Sequence, residues 1–196
     1  MYSTCERWAV DVGADFSFTI KLWKEIIHVK QLLFKAGDID MFLKRIMPFG
    51  KKKGCLLLQF PGKITLDYFN EVEEILSLIK QSEFALGWTP VIEFRNASWY
   101  KGEAFELLDE YHASMVLHDH PKAKNEVLNK KATVVYLRFH GPIGDYRGSY
   151  SLKFLAEKTI QIKKWINDEK EVYVYFNNSV GDAFNNARTL QEMNSI

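Results

Sequence analysis

Six short runs of β-forming residues recur along this chain, and each ends in polar or charged groups beside a turn. The clearest is Val134-Val135-Tyr136-Leu137-Arg138-Phe139-His140, stopped by Gly141-Pro142. Side chains alternate across a strand. Tyr136, Arg138 and His140 therefore share one face, and Val135, Leu137 and Phe139 share the other. The remaining runs are residues 15–21, 54–60 (closed by Pro61-Gly62), 89–95, 114–118 and 170–176 (closed by Asn177-Asn178). Between them lie segments with helical spacing: residues 38–47, a stretch carrying Tyr68, Phe69, Val72, Ile75, Leu76 and Ile79, then 103–111, 152–166 and 181–193. A short helix is expected at 6–12, and a loop with partial helix follows the first strand. Alternation of strand and helix requires a parallel sheet joined by crossover helices, which is the α/β class.

Local detail supports this reading. Gly54-Cys55-Leu56-Leu57-Leu58-Gln59-Phe60 is almost uninterrupted in its apolar character, as in a strand covered on both faces. Thr65 is placed to cap the next helix, with Asp67 in its first turn. Lys51-Lys52-Lys53 reads as a solvated loop, and residues 122–131 as a polar connection. At 196 residues the chain is expected to form a single domain, residues 1–196. A formal net charge of +1 argues against a polyanion-coating protein and makes nucleic acid an unfavoured partner. Neither a signal-type apolar stretch nor a run of membrane-span length is present, so no membrane partner is expected. Cys5 and Cys55 form no CxxC pair, and a cytoplasmic, reducing location is the expectation.

Ligand sites of parallel α/β folds lie at the carboxyl ends of the strands. Here those ends carry Lys21, Gln59, Glu93 with Arg95, His118 with Asp119, Arg138 with His140, and Asn177 with Asn178. The expectation is one shared polar site, set against a merely solvated sheet end. Each member also has a structural reading: Glu93 and Arg95 as an interior ion pair, His140 as a satisfied core histidine, Asn177-Asn178 as the turn before the last helix. His118-Asp119-His120 resembles a metal run. Adjacent residues of an extended chain point in opposite directions, however, so at most two of the three could hold an ion, together with Glu93, and no metal is assigned. Phosphate-loop, GxGxxG, GxSxG and HExxH signatures are absent, and no cofactor is named.

Several stretches resemble a known family. They are Val91-Ile92-Glu93-Phe94-Arg95-Asn96-Ala97-Ser98-Trp99, Tyr136-Leu137-Arg138-Phe139-His140-Gly141 followed by Tyr146, and Val174-Tyr175-Phe176-Asn177-Asn178 with Gly181, Ala183, Asn186 and Ala187. Leu57-Leu58-Gln59-Phe60-Pro61 and Phe16-Ser17-Phe18-Thr19-Ile20-Lys21 match as well. In these the chain is similar to the YecE-like family, domain of unknown function 72. The resemblance implies a TIM-barrel-like (β/α) fold and does not name a reaction. Family members usually begin with a glycine-rich first strand and a second strand ending like Glu-Asn-Ser-Thr-Phe-Tyr. Neither appears here, so the expectation is an N-terminally shortened barrel with about six of eight strands.

The resulting functional expectation is an acid–base enzyme acting on a small polar or anionic, sugar- or phosphate-like substrate. Glu93 and His140 are the expected catalytic pair. Lys21, Gln59, Arg95, Trp99, Asp119, Arg138, Tyr146, Asn177 and Asn178 are the expected binding residues, with the arginines suited to forked recognition of anions. The alternatives are a non-catalytic module binding a ligand or a nucleic-acid end, and an inactive remnant of the family. A homodimer covering exposed sheet edges is the expected assembly.

Overall fold

The structure is a computed structural model and describes residues 4–195. It divides into two compact units, Met1–Trp99 and Tyr100–Ile196. Both are mixed α/β, with parallel strands alternating with helices.

The first unit contains α1 (Thr4–Asp11), β1 (Phe18–Lys21), α2 (Lys24–Ile27), α3 (Ala36–Arg45), β2 (Lys53–Phe60), α4 (Phe69–Gln81) and β3 (Thr89–Phe94). β2 lies between β1 and β3, parallel to both. As its apolar run requires, β2 buries Cys55, Leu56, Leu57, Leu58 and Phe60 on its two faces. α4 covers the sheet with Val72, Ile75, Leu76 and Ile79, the residues its helical spacing selects. Each such side chain contributes about 1.5–3 kcal/mol on burial.

Three local expectations are corrected in this unit. Thr65 does not cap its helix; its hydroxyl donates to Asp67 Oδ2 at 2.8 Å. The first turn, Leu66–Tyr68, is a 3₁₀ turn, and the Leu66 N–H is satisfied by Ser98 Oγ at 2.9 Å. A cap from a neighbouring loop satisfies the same orphan donor as a local one. Nor are Lys52 and Lys53 simply solvated. Lys52 Nζ donates to the carbonyls of Ala9 (2.6 Å) and Val12 (2.7 Å), a cation at the C-terminal end of α1. Lys53 Nζ donates to the Leu86 carbonyl at 2.7 Å. The first strand is also shorter than its alternation suggests, beginning at Phe18, with Phe16 half exposed before it.

The second unit contains α5 (Gly102–Glu110), β4 (Ser114–Met115), β5 (Leu117–His118), β6 (Val134–Phe139), β7 (Arg147–Gly148), α6 (Leu152–Asn167), β8 (Glu171–Phe176), β9 (Val180–Gly181) and α7 (Ala183–Asn194). β6 is the centre of a parallel sheet ordered β5-β6-β8. Its parity is as expected: Val135, Leu137 and Phe139 join Leu117, Leu155, Ile162 and Leu190 in the core, while Tyr136 stacks on Tyr173 and Tyr175. α6 is capped by Ser151, whose Oγ accepts from the Phe154 N–H at 3.2 Å.

The run at 114–118 is broken into two short strands at Val116. No helix covers the connection that follows. Two buried asparagines hold it in place. Asn125 donates to the Val116 and Val127 carbonyls and accepts from the Val127 N–H. Asn129 accepts from the Met115 N–H and donates to Asp109 and to the Ala113 carbonyl. These amides satisfy backbone groups that would otherwise be buried without partners. A two-residue parallel ladder, Arg147 with Val180 and Gly148 with Gly181, ties the loop before α6 to the loop before α7.

Candidate functional site

In the first unit, three adjacent strand ends present a polar row. Parallel register sets Gln59 opposite Glu93. Lys21 Nζ reaches Gln59 Oε1 at 3.1 Å. Glu93 is fully buried and forms an ion pair with Arg95. His28, not singled out from the sequence, has its Nε2 3.3 Å from the Gln59 carbonyl oxygen. Burial lowers its pKa, the Lys21 charge adds to this, and the Gln59 hydrogen bond opposes it.

Trp99 lies apart from that row. It is fully buried, stacked 4.0 Å from Phe94, and its indole N–H donates to the Ile64 carbonyl at 2.9 Å. Together with Asn96 and Ser98 it forms a clasp. Asn96 Nδ2 donates to the Gly62 carbonyl at 2.8 Å, and Asn96 Oδ1 accepts from the Ser98 N–H at 3.0 Å. Gly62 runs so close that a Cβ there would meet the Arg95 carbonyl oxygen at 3.1 Å. The Asn96-Ala97-Ser98-Trp99 stretch thus fixes the loop after β2.

In the second unit the centre is Asp119. One carboxylate oxygen, Oδ1, accepts from the His140 backbone N–H at 2.7 Å and lies 3.1 Å from His140 Nδ1. The other, Oδ2, accepts from the Tyr150 hydroxyl, and that hydroxyl accepts from the Gly141 N–H at 2.7 Å. Burial pushes the Asp119 carboxyl up, but the bonds from His140 and Tyr150 outweigh it, leaving the pKa below its usual value. Tyr150 is pushed well above the ordinary phenol range, first by burial and then by the adjacent carboxylate. A carboxylate accepts only, so His140 Nδ1 carries the proton that faces Asp119.

Three imidazoles meet at this point. The His140 ring lies 6.0 Å from His118 and 5.7 Å from His120, nearly perpendicular to both. His118 Nδ1 accepts from the His120 N–H at 3.3 Å, and Nε2 is 2.9 Å from the Tyr100 hydroxyl, which itself donates to the Ala123 carbonyl. That pattern fixes His118 as the Nε2–H tautomer with both nitrogens engaged. Among the described residues no cluster has the geometry of a metal site.

The other expected residues divide between this centre and the scaffold. The Tyr146 ring stands perpendicular to His140 at 5.3 Å and is 41% exposed. Arg138, one residue pair from His140 on the same strand face, donates from Nη2 to Asn177 Oδ1 at 3.2 Å. Asn178 is fully buried and points into the scaffold, donating to the Gly148 carbonyl (2.8 Å) and to Asn186 Oδ1 (3.1 Å). Tyr150 was missed in the sequence because it lies 31 residues from Asp119, beyond any local pattern.

The family model described as Protein of unknown function DUF72 matches residues 2–196. The chain belongs to the DUF72 family. Two solved DUF72 structures resemble it closely in fold. A family protein from Thermotoga maritima is 24% identical with a TM-score of 0.77, aligning 97% of this DUF72 chain with 78% of its own. One from Enterococcus faecalis is also 24% identical, with a TM-score of 0.79 and coverage of 98% and 83%. No curated protein matches the DUF72 chain. No described helix is long and apolar enough to cross a membrane.

Proposed function

We propose that this DUF72 protein is an acid–base enzyme for a small polar or anionic, sugar- or phosphate-like substrate, working from the carboxyl ends of its strands. The reading takes the chain as TIM-barrel-like, on the strength of the family resemblance. The observation that supports it best is the Asp119 carboxylate shared by His140 and Tyr150. An imidazole whose Nδ1–H is held by a carboxylate keeps Nε2 as its basic atom, the arrangement that suits a general base. Arg138 is the cation of this face and Asn177 orients it. In the first unit, Glu93 fixes Arg95 as an anion-binding group, with Lys21 and Gln59 beside it. Glu93 stays a candidate acid in the proposal.

The proposal includes a homodimer in which a second copy covers exposed sheet edges. Its support is β8, which ends the β5-β6-β8 order and leaves Val172, Tyr173, Val174, Tyr175 and Phe176 only partly buried. Sedimentation at two concentrations tests it, and a monomer at both would remove it.

The test of the site is a melting-temperature series with inorganic phosphate, sugar phosphates and dicarboxylates. An anion should raise the Tm of the wild type and leave Arg138→Ala unmoved. His140→Gln should keep the anion-dependent rise and lose turnover of whichever substrate is found. If no anion raises the wild-type Tm, the reading fails.

A further inference from the structure

A second cavity lies against the core face of β5 and β6. Leu117, Leu137 and Phe139 are buried there on the core face of the sheet, opposite in parity to His118 and Arg138. The connection from β5 to β6 has no helix of its own, and α6 packs Leu155 and Ile162 against them. α6 provides the facing wall through Phe154, Lys158, Gln161 and Trp165, spaced so that they lie along one stripe of the helix. A cavity of about 280 Å³ lies between the two walls. It is near the lower end of the size of small-ligand pockets.

We infer that this cavity is a binding site for a small carboxylate with an aromatic or aliphatic body. The apolar floor and the rings of Phe139, Phe154 and Trp165 suit a flat hydrophobic group. The charges on the rim decide the sign of the head group. Asp119 lines the cavity, but both its oxygens already accept hydrogen bonds from His140 and Tyr150. Glu126 is paired with Lys124 at 3.1 Å. Lys158 differs from these: among the described residues it has no carboxylate partner, and it donates to the neutral Gln161 Oε1 at 2.9 Å while lying 5.5 Å from the Phe154 ring centroid. A cation at the mouth of an apolar cavity with only an amide to bind favours an incoming anion. The cavity shares Asp119 with the His140 site, but the cation it offers a ligand is Lys158.

A matched series of probes tests it on the full chain: phenylacetate, neutral phenylacetamide and cationic phenethylamine, followed by calorimetry and tryptophan fluorescence. Phenylacetate should bind most tightly and change the fluorescence, and Trp165→Phe should abolish that change. Lys158→Gln should weaken phenylacetate by about fivefold, as expected for one partly exposed charge pair, and leave phenylacetamide unaffected. Three results would each overturn the inference. These are phenylacetamide binding as tightly as phenylacetate, a fluorescence response that survives in Trp165→Phe, and no saturable binding of any probe up to about 10 mM, far weaker than a specific site provides.

Discussion

Asp119 and His140 are joined twice through one oxygen: Oδ1 accepts from the His140 main chain at 2.7 Å and lies 3.1 Å from its ring Nδ1. The backbone bond fixes where the strand end sits, and the ring contact fixes how the imidazole is turned. Because the Asp119 pKa is lowered in the folded chain, its contribution to stability is present above about pH 4, the ordinary aspartate value, and is lost as pH falls through the lower native value. Asp119→Asn should cost about 1–3 kcal/mol at neutral pH. Its stability should also fall less steeply than that of the wild type between about pH 4 and pH 2. Urea midpoints measured across that range check both statements.

Tyr150→Phe removes a group that donates to Asp119 and accepts from the Gly141 N–H. The buried Gly141 N–H and the partly buried Asp119 carboxylate then each lose a partner. The expected loss is about 1–3 kcal/mol. A double-mutant cycle with Asp119→Asn should show coupling of about 0.5–3 kcal/mol, because the two residues share one bond. Additive losses in chemical denaturation would mean that the hydroxyl and the carboxylate act separately.

Gly141 has φ +100, and a Cβ on it would run into the backbone of Arg147. Gly141→Ala should destabilise by about 2–4 kcal/mol, adding backbone strain to a clash with main chain that cannot rotate away. Circular dichroism melts compare it with Gly102→Ala, where the new Cβ meets nothing within 4 Å.

The clasp after β3 is tested by Ser98→Ala, which removes the acceptor of the Leu66 N–H. The loss should be about 0.5–2 kcal/mol, the range for a missing helix cap. Thr65→Ala should cost less, since its hydroxyl bonds Asp67 and caps nothing. Equal losses in thermal unfolding would return the cap to Thr65.

The fold class was legible because it depends on short-range pattern. The β6 parity, the apolar continuity of β2 and the spacing of Val72, Ile75, Leu76 and Ile79 are consequences of strand and helix periods, which any window of residues displays. The same parity put Arg138 and His140 on one face and Glu93 beside Arg95. Lys52 at the end of α1, Ser98 as the donor's partner at Leu66 and the two buried asparagines after β5 were not legible. Lys52 and Ser98 satisfy backbone groups far away in the sequence, the asparagines hold groups in and around β4, and a polar side chain looks the same whether it meets water or a carbonyl.

Sequence alone determined which residues stand at the strand ends, since that follows from alternation and the breakers that stop it. Tertiary structure decided what each of them does there. It turned Asn178 and Trp99 into the scaffold, bound Glu93 to Arg95, and brought Tyr150 across 31 residues to the carboxylate that holds His140. The physical reason is range. Periodicity is local, but hydrogen bonds and ion pairs form wherever the packed elements place a donor beside an acceptor, and that placement exists only after the chain has folded.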